Sequence, residues 1–299
     1  MAQGTVSRGT TVRRAGRKGP PASRLLRAAV LYAVLLGLTA FILLPICWML
    51  TAALKPDTAP VFTYPPEWFP TEHFRWQTFQ DALLDPDDPY LRYALNTVFL
   101  VVMNIVGAVL ANSLIAYPFA RLRFRGKNAL FTLLIATMLL PAPVLLIPQF
   151  LIFYRLGWYG TYLPLIVPVF TGSAFFIFLL RQYMRTIPRD LDEAARIDGA
   201  GYWGTYWRVI LPLTAPALAV VAIFQGLGTW NDFFGPLLYL DDPEEFTIAL
   251  ALATQLTRVG TEWNTLMASN LVAMIPPLIV YFLAQKQLIG GIASVGIKG

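Results

Sequence analysis

The chain has 299 residues, of which 57% are hydrophobic and only 13% charged, and its mean hydropathy is +0.57. A soluble domain carries about 25% charged residues, so this composition excludes an ordinary water-soluble protein and identifies a membrane protein. The formal charge of +6 raises the question of a nucleic-acid partner, while the single cysteine, Cys47, excludes an intrachain disulfide.

In chain order, residues 1–27 form a basic tail with no periodic apolar face, read as a disordered cytoplasmic segment. The first uncharged run, Ala28 to Leu54, exceeds the length of a signal-peptide core, and no small-residue cleavage site follows before Lys55. Five more uncharged runs follow: Tyr93 to Ala120, Asn128 to Tyr154, Leu156 to Leu180, Val209 to Asn231 and Trp263 to Gln285. Each is long enough to cross about 30 Å of hydrocarbon as a helix, so the expected fold is all-α with six transmembrane helices. Phe246 to Thr257 is apolar but too short to span, and reads as an interfacial or re-entrant helix at the outer surface. Residues 28–289 thus form the membrane domain and residues 290–299 a C-terminal tail.

The placement of cations answers the question their number raised. Threading six spans puts the N-terminal tail, the 121–128 and 181–208 loops and the C-terminus on one side. Arg121, Arg123, Arg125 and Lys127, then Arg181, Arg185, Arg189, Arg196 and Arg208, join the tail there; only Lys55, Arg75, Arg92, Arg155 and Arg258 fall opposite. Cations near span ends are retained in the cytoplasm, so both termini are expected inside. Asp85, Asp87, Asp88, Asp241, Asp242, Glu244 and Glu245 then lie outside. The basic charge is topology, and no nucleic-acid partner is expected.

The longest ordered inside loop, residues 187–212, has a polar and sharply turned pattern. Pro188 suits a first helical turn, Asp190 and Asp192 sit near the positive end of the dipole, and Gly199 stands where a left-handed cap is wanted. Asp192 and Arg196 have the spacing of an i,i+4 ion pair. Ile187, Leu191, Ala194 and Ala195 give a narrow apolar face, and turns are expected at Gly199 and Gly201. Tyr202, Trp203, Tyr206 and Trp207 supply an interfacial aromatic belt. On the residues alone, a capped interfacial helix and an element that docks on a partner are equally served.

The order Glu193, Ala194, Ala195, then Asp198, Gly199 and Ala200, with Ile210, Leu211 and Pro212 at the start of the fifth run, resembles the EAA motif of ABC importer permeases. The segments YPPEWFPTEHFRWQTFQDAL at 64–83, WNDFFGPLLYL at 230–240 and MIPPLIVYFLAQKQLIGGIASVGIKG at 274–299 resemble the second permease of maltose-type carbohydrate importers. The resemblance covers nearly everything after the basic tail. It implies a type I importer permease fold in a bacterial cell membrane, with loop 187–212 as the coupling loop to a cytoplasmic ATPase dimer. It further implies a second permease subunit as a heterodimer partner, an extracytoplasmic sugar-binding protein, surrounding membrane lipid and a non-catalytic chain. No G-x-x-x-x-G-K-[ST] phosphate loop occurs, so no cofactor is expected on this chain, and ATP and Mg belong to the ATPase subunits. The tail 290–299 resembles one that enters the ATPase seam; its glycines equally suit a frayed terminus.

A sugar path needs donors and acceptors inside the apolar bundle. Gln149, Gln225 and Asn231 lead the candidates, ahead of Asn96, Asn104, Asn112 and Asn270. Intramembrane amides more often join helices than touch cargo. Pro141, Pro143, Pro216, Pro276 and Pro277 punctuate the runs as bends or hinges, and lone His73 has no second metal ligand nearby. The rivals are an ABC permease for a non-sugar solute, a structural membrane protein with a docking loop, and an ion-coupled transporter. The last would be expected to hold an ionisable group at mid-membrane, and all six runs lack one.

Overall fold

The computed structural model describes residues 22–56, 61–65, 67–68, 74–84, 89–257 and 262–296. The tail up to position 21, His73, Asp85, Asp87, Asp88, Arg258 and Lys298 lie outside them. The chain divides into two compact units, Met1–Trp48 and Met49–Gly299. The described part of the first is one helix, α1 (Ala22–Ala53), which runs on into the second unit and exposes Leu36, Phe41 and Ile42. A helix so apolar and so exposed is stable only with hydrocarbon around it.

In the second unit, α2 (Gln77–Leu84) leads to α3 (Tyr90–Arg121), the hub of the fold. Helices α4 (Lys127–Thr137), α5 (Ala142–Arg155) and the short α6 (Leu163–Ile166) follow, with a 3₁₀ turn over Val167–Thr171 before α7 (Ala174–Thr186). Gly172 joins that turn to α7 at φ +89°, where a Cβ would stand 2.8 Å from the Ile115 side chain. Next come α8 (Asp190–Ile197), α9 (Tyr202–Thr205), a π-helical turn over Tyr206–Ile210, α10 (Leu211–Leu213) and α11 (Ala215–Trp230). The elements α12 (Phe234–Tyr239), a 3₁₀ turn at Pro243–Glu245 and α13 (Ile248–Leu256) precede the long α14 (Trp263–Gly296).

The main core is built around α3. Ala108, Ala116, Tyr117 and Ala120 of α3 pack with Phe176, Ile177, Leu180 and Met184 of α7, Tyr206 and Ile210 of the π turn, and Ala217 and Val221 of α11. Small residues on α3 let its neighbours approach closely, the packing mode available where hydrophobic burial gives no drive between spans.

Among the described residues, four helices are long and apolar enough to cross a membrane: Leu26–Ala53, Tyr90–Arg121, Leu163–Thr186 and Trp263–Gln285. Tyr202–Leu213 and Ala215–Trp230, bent by 74°, make a fifth if they are counted as one span. The bend falls at Thr214, between Pro212 and Pro216, each of which lacks an N–H and crowds the carbonyl four residues earlier. The expected span Asn128 to Tyr154 is not one helix: it divides into α4 and α5, with Pro141 extended (ψ 131°) between them and Pro143 in the first turn of α5. The expected span Leu156 to Leu180 is also displaced. Residues 156–162 turn, and the helix continues through Arg181 and Arg185 to Thr186. Arg181 is accommodated because its guanidinium covers the Phe131 ring at 3.8 Å and its Nε donates to the Phe119 carbonyl at 3.1 Å.

The short helix expected over Phe246 to Thr257 is present as α13 and is not among the spans. Its start is tightly tied. Thr247 caps Leu250, Asn96 of α3 donates to the Glu244 and Phe246 carbonyls at 2.9 and 3.1 Å, and Thr97 accepts from Ile248 at 2.9 Å. Tyr162 donates to the Glu245 carbonyl at 2.9 Å; burial, then neighbouring Glu245, pushes that phenol up to about 12, so it stays a donor. The C-terminal helix includes residues 290–296, and 297–299 lie outside the described residues.

Candidate functional site

The loop between α7 and α11 is assembled by local rules. The residue before a proline is driven to extended geometry, and Ile187, at φ −69° and ψ 130°, ends α7 just before Pro188. Pro188 therefore precedes the helix instead of occupying its first turn, and α8 starts at Asp190 after Arg189. Asp190, Asp192 and Glu193 fill the first turn of α8 and Arg196 the last, each on the favoured end of the dipole. The C-terminus closes as a full Schellman motif: Gly199 N–H donates to the Arg196 carbonyl at 3.0 Å and Ala200 N–H to the Ala195 carbonyl at 2.8 Å. Gly199 holds φ +81°, whereas Gly201 sits at an ordinary φ of −73°, so only the first of the two expected turns demands glycine.

The motif residues divide into exposed and anchored halves. Glu193, Ala194, Asp198 and Gly199 are exposed, Ala200 is half-buried and Ala195 is buried. The expected apolar face is therefore incomplete: Ile187 and Ala195 are covered, while Leu191 and Ala194 are exposed. Ile197, not singled out by its spacing, projects at 86% exposure. In the second half Ile210 is fully buried in the main core, Leu211 packs against that core and Pro212 is exposed at the bend. Tyr202, Trp203 and Trp207 are exposed as an interfacial belt would be, but Tyr206 is buried and shares a 2.8 Å hydrogen bond with Ser113 of α3.

The central residue of this site is one that its place in the sequence marks only as a cation near a span end. Arg121, the last residue of α3, has a side chain 3% exposed. Its Nη1 donates to the Met184 carbonyl at 3.1 Å and the Ile187 carbonyl at 2.7 Å, and its Nη2 to the Pro188 carbonyl at 2.9 Å. The same guanidinium meets Asp192 side-on, with Nη2 2.6 Å from Oδ2 and Nε 3.3 Å from Oδ1. The anticipated Asp192–Arg196 pair is thus replaced: Arg121 takes the carboxylate in a bidentate, desolvated geometry that outcompetes an exposed i,i+4 partner. Arg196 instead lies over the Tyr202 ring at 5.5 Å. Beside this cluster opens a cavity of about 480 Å³, bordered by Tyr117, Arg123, Arg189, Glu193 and Arg196.

The path candidates do not converge. Gln225 is half-buried and donates to Thr229 at 3.2 Å; Asn104 donates to the same hydroxyl at 3.3 Å and keeps a buried, unpaired Oδ1. Asn231 is exposed and borders a separate cavity of about 270 Å³ with Trp230, Asn270 and Pro277. Gln149 is exposed on α5 and belongs to neither group. Asn96 and Asn112 join elements, the latter accepting from the Ser173 N–H at 2.7 Å at the start of α7.

Residues 103–293 match the family model described as "Binding-protein-dependent transport system inner membrane component". The chain is 34% identical over 204 residues to the arabinooligosaccharides transport system permease protein AraQ of Halalkalibacterium halodurans, covering 68% of this chain and 73% of that one. It is 29% identical over 291 residues to the maltose/maltodextrin transport system permease protein MalG of Yersinia pestis, covering 93% and 96%. Its fold matches a chain in the crystal structure of a bacterial ABC transporter involved in the import of the acidic polysaccharide alginate. That match has a TM-score of 0.77 and 25% identity, and covers 89% of this chain and 98% of that chain.

Proposed function

The chain belongs to the binding-protein-dependent transport system inner membrane components, and from that premise we propose that it is the membrane-spanning permease subunit of an ATP-driven sugar importer. The observation that carries this reading is α8: a short, capped helix with exposed Glu193 and Ala194, set between spans and pinned to the bundle by one buried arginine. Such an element offers a carboxylate and small side chains to a partner while its base stays fixed. Glu193, Ala194, Ala195, Asp198, Gly199 and Ala200 dock on a cytoplasmic ATPase, and Ile210, Leu211 and Pro212 carry its motion into α11. The ATPase subunits bind ATP and Mg; this chain performs no catalysis.

Cargo is an oligosaccharide delivered by an extracytoplasmic binding protein that contacts the outer elements around α13. The permease partner is a second, different membrane chain, both termini are cytoplasmic, and the assembly lies in the bacterial plasma membrane. Within the path, Gln225 and Asn231 supply hydrogen bonds, as does Gln149 from α5; the unpaired Asn104 Oδ1 beside Thr229 supports adding that residue. Deleting the gene and measuring uptake of labelled oligosaccharides, amino acids and polyamines tests the reading. Loss of oligosaccharide uptake alone, restored by the intact gene, is expected. Loss of amino-acid or polyamine uptake instead would replace the cargo class, and unchanged uptake of all would remove the transport role.

A further inference from the structure

Helix α8 has little apolar attachment to the rest of the protein. Of its residues only Ala195 is buried, and its packing neighbours are the following α9 and π turn. Covalent connection runs backwards through Pro188 to α7 and forwards through Gly199 to α9. Both connections lead into elements that pack on α3, the helix around which the core is arranged, but neither ties α8 itself to it. A push on α8 therefore reaches α3 indirectly, through α7 and through the π turn whose Tyr206 bonds Ser113, and Arg121 adds a direct tie from α8 itself to α3.

Resting on the importer reading above, we infer that Arg121 is the positioning residue that couples movement of α8 to α3, by holding Asp192 and the carbonyls of Met184, Ile187 and Pro188 in a single guanidinium fork. Three features support this. The fork spans three elements at once: its own helix α3, the C-terminal end of α7 and the first turn of α8. The Met184 carbonyl lies in the last turn of α7, where the Ile187 N–H donates to it only at a long 3.4 Å, and the guanidinium adds a shorter bond at 3.1 Å. Burial of the Arg121 side chain at 3% exposure, with Asp192 at 16%, makes the pair stiff and costly to break, unlike the exposed Arg92–Glu244 bridge. Lysine cannot reproduce the arrangement, since a single ammonium offers no planar fork for a carboxylate and three carbonyls.

The test uses the complete importer, with its second permease, ATPase and binding protein, reconstituted in proteoliposomes. Sugar transported per ATP hydrolysed is measured for the wild type, Arg121→Lys and Asp192→Asn, alongside membrane abundance and ATPase co-purification. Asp192→Asn keeps the shape and one oxygen acceptor, so it decides the matter should Arg121→Lys fail to accumulate. Expected for Asp192→Asn is normal abundance and ATPase co-purification, with sugar moved per ATP falling about tenfold, the scale of one lost charge-assisted hydrogen bond. An unchanged ratio, even with reduced abundance, would overturn the inference, because a merely structural role lowers the number of working complexes and leaves their coupling intact. A wild-type complex whose hydrolysis no sugar-loaded binding protein stimulates would overturn the importer reading itself, and this inference with it.

Discussion

Substituting Gly199 isolates the geometry of the 187–212 loop from its chemistry. Gly199 sits at φ +81°, and a Cβ built there meets nothing within 4 Å, so an added Cβ brings backbone strain and no clash of its own. An L-residue in the left-handed region costs about 1–2 kcal/mol, and a β-branched one stands at the upper end. A penalty of that size lowers the population of the closed Schellman turn by a factor of about 5–30. Asparagine tolerates this region best among the non-glycine residues, so the expected order of retained function is Gly199, then Asn, then Ala, then Val. The assay is uptake of several sugars in parallel, normalised to membrane abundance, with ATPase co-purification followed on the same samples. All sugars should fall together and ATPase retention should fall with them. Wild-type uptake in the Val variant, or an Asn variant as impaired as Val, would refute the argument that the left-handed cap sets the docking geometry.

A cysteine replacing Arg125, which is exposed between α3 and α4, should resist an impermeant maleimide in intact cells and react once the membrane is opened, whereas labelling in intact cells would invert the orientation. Before α13, burial, then Asp242 and Asp241, raise the Glu245 carboxyl above its ordinary 4.5, so the native turn holds a proton more readily than an unfolded one. The sign follows: this contribution is complete below 4.5 and is lost as pH rises through the raised native value. Amide protection factors over residues 244–248 should therefore rise on acidification, and Glu245→Gln should flatten that dependence; a Gln variant with the same slope would assign it elsewhere.

Much of the architecture was legible because single-helix rules govern it. Uncharged length located α1, α3 and α14, and cap chemistry placed α8 and the Gly199 turn within a few residues. Other features depended on contacts that periodicity does not encode. Pro141 and Pro143 were visible as bends, but whether two prolines kink a helix or divide it depends on what the intervening carbonyls meet. Asp192 had a correctly spaced partner in Arg196, yet spacing says who can reach and not who else competes; Arg121 arrives from 71 positions away. Arg121 itself stands in an alternating run with Arg123 and Arg125, and only its burial separates it from those exposed neighbours. Among the path amides, composition could nominate Gln149, Gln225 and Asn231, but the Asn104–Thr229–Gln225 group emerges only when α3 and α11 are brought together.

The most direct measurement of the coupling role is ATP hydrolysis by the purified complex, with and without sugar-loaded binding protein, for the wild type and Glu193→Lys. Glu193 is exposed on α8, and if it docks on a basic partner surface as proposed, reversing its charge would set like charges together and weaken docking without disturbing the bundle. The wild-type complex should hydrolyse ATP faster when the loaded binding protein is added. The Glu193→Lys complex should insert normally, retain less ATPase and lose that stimulation for every sugar alike. Full stimulation in the Glu193→Lys complex, or an altered sugar preference with ATPase binding intact, would contradict the assignment of α8 as the element that couples ATP to transport.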